Sequence, residues 1–164
     1  MPKNKNIVLI GLMGCGKTTV AKMLSQRLNK KMIDIDEYIV EKYQMTIPEM
    51  FQISEEYFRE RETLCCEEIG KLENYIISTG GGVISHPVNI EALKQNGIIV
   101  YIDRPVDLIY QDVDTSSRPL LKDGPEKLYE LYAQRHQKYL DACDYHLMNT
   151  SSLDDLISQI IEIM

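Results

Sequence analysis

Long apolar runs are missing from this chain: nothing in it approaches the roughly eighteen consecutive apolar residues that a membrane-crossing helix needs. A charged-then-apolar leader is missing too, since MPKNKN runs straight into a short strand and a glycine-rich loop. Both absences set the expectation of a cytoplasmic protein without a membrane partner. Clustered positive charge is also lacking. With 18 Lys and Arg against 25 Asp and Glu, the formal net charge is -7, which argues against nucleic acid as a partner. Any anion must therefore be held by local positive groups, and arginine is scarce: Arg27, Arg59, Arg61, Arg104, Arg118 and Arg135 are all there are. Of four cysteines, Cys65 and Cys66 are adjacent, Cys15 lies inside the glycine loop, and none has metal-ligand spacing, so reduced thiols are expected. His86, His136 and His146 are scattered without ligand spacing and read as structural. No repeat, low-complexity segment or linker divides the 164 residues, which suit one domain.

What is present begins with IVLIGLMGCGKTT, Ile7 to Thr19, which fits the phosphate-cradling pattern G-x-x-x-x-G-K-[ST] at Gly11, Gly16, Lys17 and Thr18. Gly11, Gly14 and Gly16 let the backbone curl with its amides inward, a nest for phosphate oxygens. Lys17 then reaches the β- and γ-phosphates, Thr18 offers its hydroxyl to Mg2+, and the helix that begins there adds its positive end. The context is the required one, because Ile7 to Ile10 is an apolar run and Val20, Ala21, Leu24 and Leu28 repeat at helical spacing.

Further along, KMIDI at Lys31 to Ile35 predicts a strand whose end carries Asp34 and Asp36, two carboxylates leaving on the same side. Acids at a strand's carboxyl end suit Mg2+ or substrate hydroxyls; alternatively Asp36 only caps the following helix. Thr46 to Glu49 has the form of a capping box, and Ser54 opens a longer helix to about Leu72 that carries Phe58, Arg59 and Glu62. Arg59 and Glu62, three apart, make either a surface ion pair or a guanidinium fixed for a ligand. The strand Tyr75 to Ser78 runs into Thr79-Gly80-Gly81-Gly82, where the backbone must approach something closely unless it turns a hairpin; a helix from Pro87 to Gly97 favours a parallel unit. The next strand, Ile98 to Ile102, closes in Asp103, a competitor of Asp34 for magnesium. A polar lid at about 112–125 carries Arg118, a helix runs from Glu126 to about Ala142 with Arg135, and a fifth strand, Tyr145 to Met148, precedes a final helix capped by Ser152. Five strands alternating with helices predict an α/β fold, a parallel doubly wound sheet.

GLMGCGKTT, the D-x-D of Asp34 and Asp36, the F-R-x-x-E of Phe58, Arg59 and Glu62, ISTGGG, the RPLL of Arg118 to Leu121 and the helical Arg135 occur in one order. Together they resemble shikimate kinase, within the nucleoside-monophosphate-kinase-like P-loop group, over nearly the whole chain. The resemblance implies a three-layer α/β/α sandwich with strand order 2-3-1-4-5 and a substrate-binding region at about 34–62; a monomer is the expectation for the assembly. It also implies ATP as co-substrate, Mg2+ as cofactor, and transfer of the γ-phosphoryl group to the 3-hydroxyl of shikimate in aromatic amino-acid biosynthesis. The roles it implies put Gly11, Met13, Gly14, Cys15, Gly16, Lys17, Thr18 and Thr19 on the ATP phosphates, and Lys17 and Arg118 on the transferring group. Thr18 and Asp34, the latter through water, would hold Mg2+. Asp36 would take substrate hydroxyls, and Arg59 and Arg135 with Gly80, Gly81 and Gly82 would hold the substrate.

The bottom-up chemistry agrees, because phosphoryl transfer asks for alignment and charge stabilisation, not for a covalent nucleophile. Two departures stand out. Gln111 occupies a position seven before Arg118 where the family usually has an arginine against the adenine ring, and Cys15 stands where a small hydroxylated or aliphatic residue is commoner. The rival readings are another sugar-acid kinase such as gluconate kinase, a nucleoside monophosphate kinase, and a non-catalytic nucleotide switch.

Overall fold

A computed structural model describes residues 4–112 and 125–164; Arg118 and all but the ends of the expected lid fall outside the described residues. Five parallel strands form one sheet: β1 (Asn6–Ile10), β2 (Lys31–Asp34), β3 (Tyr75–Ser78), β4 (Gly97–Asp103) and β5 (Tyr145–Met148), in the order β2-β3-β1-β4-β5. Parallel pairing is that expected from the alternation of strands and helices, and the strand order is the one the resemblance implies. Both faces of the sheet are covered, which is why its three inner strands, β3, β1 and β4, read as near-continuous apolar runs and not as alternating ones. On the central strand β1, Val8 and Ile10 point into a core with Ile39, Phe58, Cys66 and Tyr139. Ile7 and Leu9 point into the opposite core with Val20, Leu24, Leu156 and Ile160. The first core is closed by α2 (Ile35–Tyr43), α4 (Glu55–Ile69), α5 (Pro87–Lys94) and α7 (Glu126–Ala142), with the short α3 (Ile47–Ile53) beside α4. The second is closed by α1 (Lys17–Leu28) and α8 (Leu153–Ile163), so the molecule is a three-layer sandwich; α6 (Val106–Asp112) packs with Leu12 and Leu128 at one end. No helix among the described residues is long and apolar enough to cross a membrane.

Local chemistry explains where elements start. Thr46 and Glu49 form both halves of the expected capping box, an arrangement whose cap alone contributes about 1 kcal/mol. Ser54 and Ser152 accept from the amides of Tyr57 and Asp155 and open α4 and α8. Three boundaries differ from the sequence reading. Strand β2 stops at Asp34, because the Asp34 carboxylate accepts from the amide of Glu37 and so caps α2; Asp36 then lies in the first helical turn, and the two acids do not leave one side of a strand. Helix α4 ends at Ile69, where a side chain on Gly70 would meet the carbonyl of Ala92. Gly97 begins β4 and does not end α5. All four cysteines are free thiols, as expected, and burial pushes the Cys65 thiol up to about 11.

Candidate active site

The carboxyl ends of β1, β2 and β3 bring the sequence-selected residues together, as ligand-binding α/β sheets do. After β1 the loop turns with φ of 151° at Gly11, 78° at Gly14 and 105° at Gly16, a region that L side chains rarely adopt. Lys17, 8% exposed, donates from Nζ to the carbonyls of Gly11 (2.6 Å) and Leu12 (3.1 Å), with the Cys15 Sγ 3.7 Å away. Its ammonium is thus held over the curl of backbone that the pattern assigns to phosphate. Thr18 Oγ1 donates to Asp34 Oδ2 at 3.3 Å, so the cap of α2 and the start of α1 present a hydroxyl and a carboxylate side by side. Thr19 is exposed one residue on, Met13 is half-buried, and Cys15 is buried with its sulfur below Gly11.

The three glycines after β3 have a specific geometry. A Cβ on Gly80 would sit 2.9 Å from Asp36 Oδ1, one on Gly81 would sit 3.2 Å from Arg135 Nη1, and one on Gly82 would strike the guanidinium of Arg59. Each glycine therefore makes room for one of the three charged side chains assigned to substrate. Arg59 Nη1 donates to Glu62 Oε1 at 3.0 Å and its guanidinium lies 5.1 Å from the Phe58 ring centre. Glu62 is 1% exposed, so the alternative of an ion pair on the surface does not hold. Burial raises the Glu62 carboxyl above its ordinary value, against the lowering effect of Arg59. The Asp36 carboxyl is raised as well, first by burial and then by the charge of Asp34, while Lys17 and Arg59 oppose the rise. Two carboxylate oxygens, Asp36 Oδ1 and Glu62 Oε2, are buried without a hydrogen-bond partner among the described residues, as is Arg61 Nε, and such atoms are rare in native interiors.

Asp103 does not join this group. It is 2% exposed, and its oxygens accept from Tyr132 (3.0 and 3.3 Å) and pair with His146 Nε2 (2.7 Å). Of the two competing acids, it is Asp34 that stands beside Thr18. Sequence reasoning missed the company Asp103 keeps: His136 and His146, scattered in the sequence, meet around it. Tyr139 was also missed; its hydroxyl donates to the carbonyl of Gly81 at 2.5 Å. So was Asn149, whose Nδ2 donates to the carbonyl of Cys15 at 2.9 Å and whose own carbonyl accepts from Arg104 at 2.7 Å. Beside the phosphate loop these residues wall a cleft of about 300 Å³ with Ser151 and Leu153. Gln111 lies exposed in the last turn of α6.

A family model for shikimate kinase matches residues 13–164. Over 162 residues the chain is 46% identical to a shikimate kinase of Clostridium botulinum (strain Alaska E43 / Type E3), covering 99% of this chain and 98% of that one. Identity to the shikimate kinase of Clostridium beijerinckii is 42% over 162 residues, with 99% and 95% covered. Among solved structures, shikimate kinase from Acinetobacter baumannii in complex with shikimate is similar with a TM-score of 0.88 at 36% identity, over 97% of this chain and 92% of that one. The enzyme from Aquifex aeolicus is similar at 0.82 and 31%, over 96% and 94%.

Proposed function

The chain belongs to the shikimate kinase family, and we propose that its residues transfer the γ-phosphoryl group of ATP to the 3-hydroxyl of shikimate, giving shikimate 3-phosphate and ADP. The enzyme is an ATP-dependent phosphotransferase. The amides of Gly11 to Thr18 and the positive end of α1 hold the β- and γ-phosphates. Lys17 exchanges its two carbonyl partners for phosphate oxygens and meets the charge that shifts in the transition state; Arg118 adds a second cation by resemblance. The cleft walled by Asn149, Ser151 and Leu153 adjoins the loop and takes the nucleoside.

Thr18 and Asp34 offer only oxygen, the donor type that Mg2+ takes, and Mg2+ keeps several waters when it bridges to substrate phosphates. Asp34, engaged at Oδ1 by the α2 cap and at Oδ2 by Thr18, fits such a position through water. When bound, the ion would neutralise charge on the β- and γ-phosphates.

Shikimate brings a carboxylate and vicinal hydroxyls. Arg59 and Arg135, set against Gly82 and Gly81 of the glycine turn, supply the planar forks that suit a carboxylate, and Asp36 supplies an acceptor for hydroxyls. The raised carboxyl of Asp36 makes it a stronger acceptor for the departing hydroxyl proton than an ordinary aspartate. The observation that carries the reading is the buried, unpartnered Asp36 Oδ1 against Gly80, with Arg135 and Arg59 set against the next two glycines of the same turn. Rates of ADP release with shikimate, gluconate and nucleoside monophosphates test it. Shikimate is expected to be preferred by orders of magnitude; a preference for gluconate would give the site to another sugar acid, and slow release indifferent to all acceptors would mark a nucleotide switch.

A further inference from the structure

We propose that Asp103, which the reaction does not use, is a positioning residue: with His146, Tyr132 and the Tyr101–His136 pair it fixes the register of α7 on the sheet, and so sets Arg135 against Gly81. The proposal rests on the reading that Arg135 binds the substrate carboxylate.

Helix α7 has 17 residues and buries Leu128 and Tyr139 fully, with Leu131, Tyr132, Leu140 and Ala142 packed half-buried beside them; apolar packing is non-directional and sets which face meets the sheet more firmly than how far the helix slides along its axis. Directional bonds do that instead. Tyr132 and His136, one turn apart, face the sheet. Tyr132 gives its hydroxyl to Asp103 at the end of β4, and His136 Nδ1 is 2.8 Å from the hydroxyl of Tyr101 on the same strand. His146 on β5 completes the carboxylate's bonding at 2.7 Å. The rings lock in between: Tyr132 stacks on His136 with centres 4.8 Å apart, and Tyr101 stacks on His146 at 5.0 Å. One turn further, Tyr139 ties the same helix to the Gly81 carbonyl. Arg135 therefore lies between two anchors, one on the sheet and one on the glycine turn. A buried carboxylate without partners is costly, so the cluster has one favourable arrangement and resists a shift of α7. Guanidinium placement of this kind matters, because an ångström of misplacement costs catalysis about a hundredfold.

The test measures the shikimate KM, kcat, the dissociation constant of ADP and the melting temperature for Tyr132→Phe, His146→Leu, His146→Gln and Arg135→Ala. Tyr132→Phe removes one oxygen and keeps the ring stack, so it reads out even if His146→Leu fails to fold. Expected are a roughly tenfold higher shikimate KM in Tyr132→Phe and His146→Leu, an unchanged ADP constant, and recovery of most of the loss in His146→Gln, which keeps an N–H donor. A fall in melting temperature with normal shikimate KM would make the cluster structural only and overturn the inference, as would equal weakening of shikimate and ADP. A raised KM in Arg135→Ala alone sinks this inference and spares the site; a normal KM in Arg135→Ala sinks the site reading and this inference with it.

Discussion

Replacing Gly82 by alanine adds a single methyl group at the point where the glycine turn meets Arg59. The backbone tolerates it, since φ of -95° and ψ of 11° are open to alanine, so no strain enters from the main chain. The side chain does not, because three atoms of the Arg59 guanidinium lie within 2.7 Å of the new Cβ. Arg59 has nowhere easy to go: its fork is held by the buried Glu62 at 3.0 Å and its guanidinium lies over the Phe58 ring. The guanidinium is displaced, and the bond to the shikimate carboxylate that the proposed function gives it, a charge-assisted pair worth about 1.5 to 3 kcal/mol, is lost. That corresponds to a shikimate KM about 10- to 150-fold higher. A coupled assay of ADP release with shikimate varied at saturating ATP measures it, and calorimetric titration of ADP serves as the control, expected to be unchanged because the phosphate loop is untouched. An unaltered shikimate KM in a folded Gly82→Ala protein would refute the idea that the glycine turn exists to admit Arg59.

Lys17→Ala should lower turnover about a hundredfold or more with the fold intact; near-normal turnover would remove the phosphate loop from the chemistry. If Asp36 takes up the hydroxyl proton as proposed, it must be ionised, and its carboxyl is raised, so kcat/KM for shikimate should fall on acidification at a pH above the ordinary aspartate range, and an acid limb at the ordinary value would contradict the burial argument. The same rise has a sign for stability: the protonated form is favoured by folding, so stability from Asp36 is present at low pH and is lost as pH rises through the folded-state pKa. Asp36→Asn should accordingly melt at a higher temperature than the parent at pH 7 while losing activity. Gln111→Arg should tighten ADP and ATP by about 2- to 30-fold if an arginine there lies on the base, with kcat unchanged; equal dissociation constants would mean that position 111 does not face it.

The phosphate loop was legible because its chemistry is local: glycines at fixed spacing, between an apolar strand and a helix, admit few other conformations. Strand order followed from the family resemblance. Asp34 and Asp36 were picked out correctly as acids near a strand end, but their placement was misread, since strand periodicity yields to a cap as soon as a side chain satisfies a helix amide. The pair of Arg59 and Glu62 was visible from spacing, whereas its depth was not, because burial of Glu62 depends on elements brought in from elsewhere in the chain. Three successive glycines announced a close approach without saying to what; only packing shows that Asp36, Arg135 and Arg59 each occupy one of the spaces. The cluster around Asp103 left no sequence signal at all. Tyr101, Tyr132, His136 and His146 come from two strands and a helix, and they meet only once β4 pairs with β5 and α7 lies across them.

Product analysis tests the central claim most directly. Incubation with ATP, Mg2+ and shikimate, followed by phosphorus NMR with proton coupling, identifies which oxygen carries the new phosphate and how much ADP accompanies it. The site described here predicts shikimate 3-phosphate and ADP in equal amounts, and no ADP above a slow background when shikimate is left out. ADP formed at the same rate without shikimate, or phosphate on a different hydroxyl, would contradict the placement of the substrate against Asp36, Arg59 and Arg135.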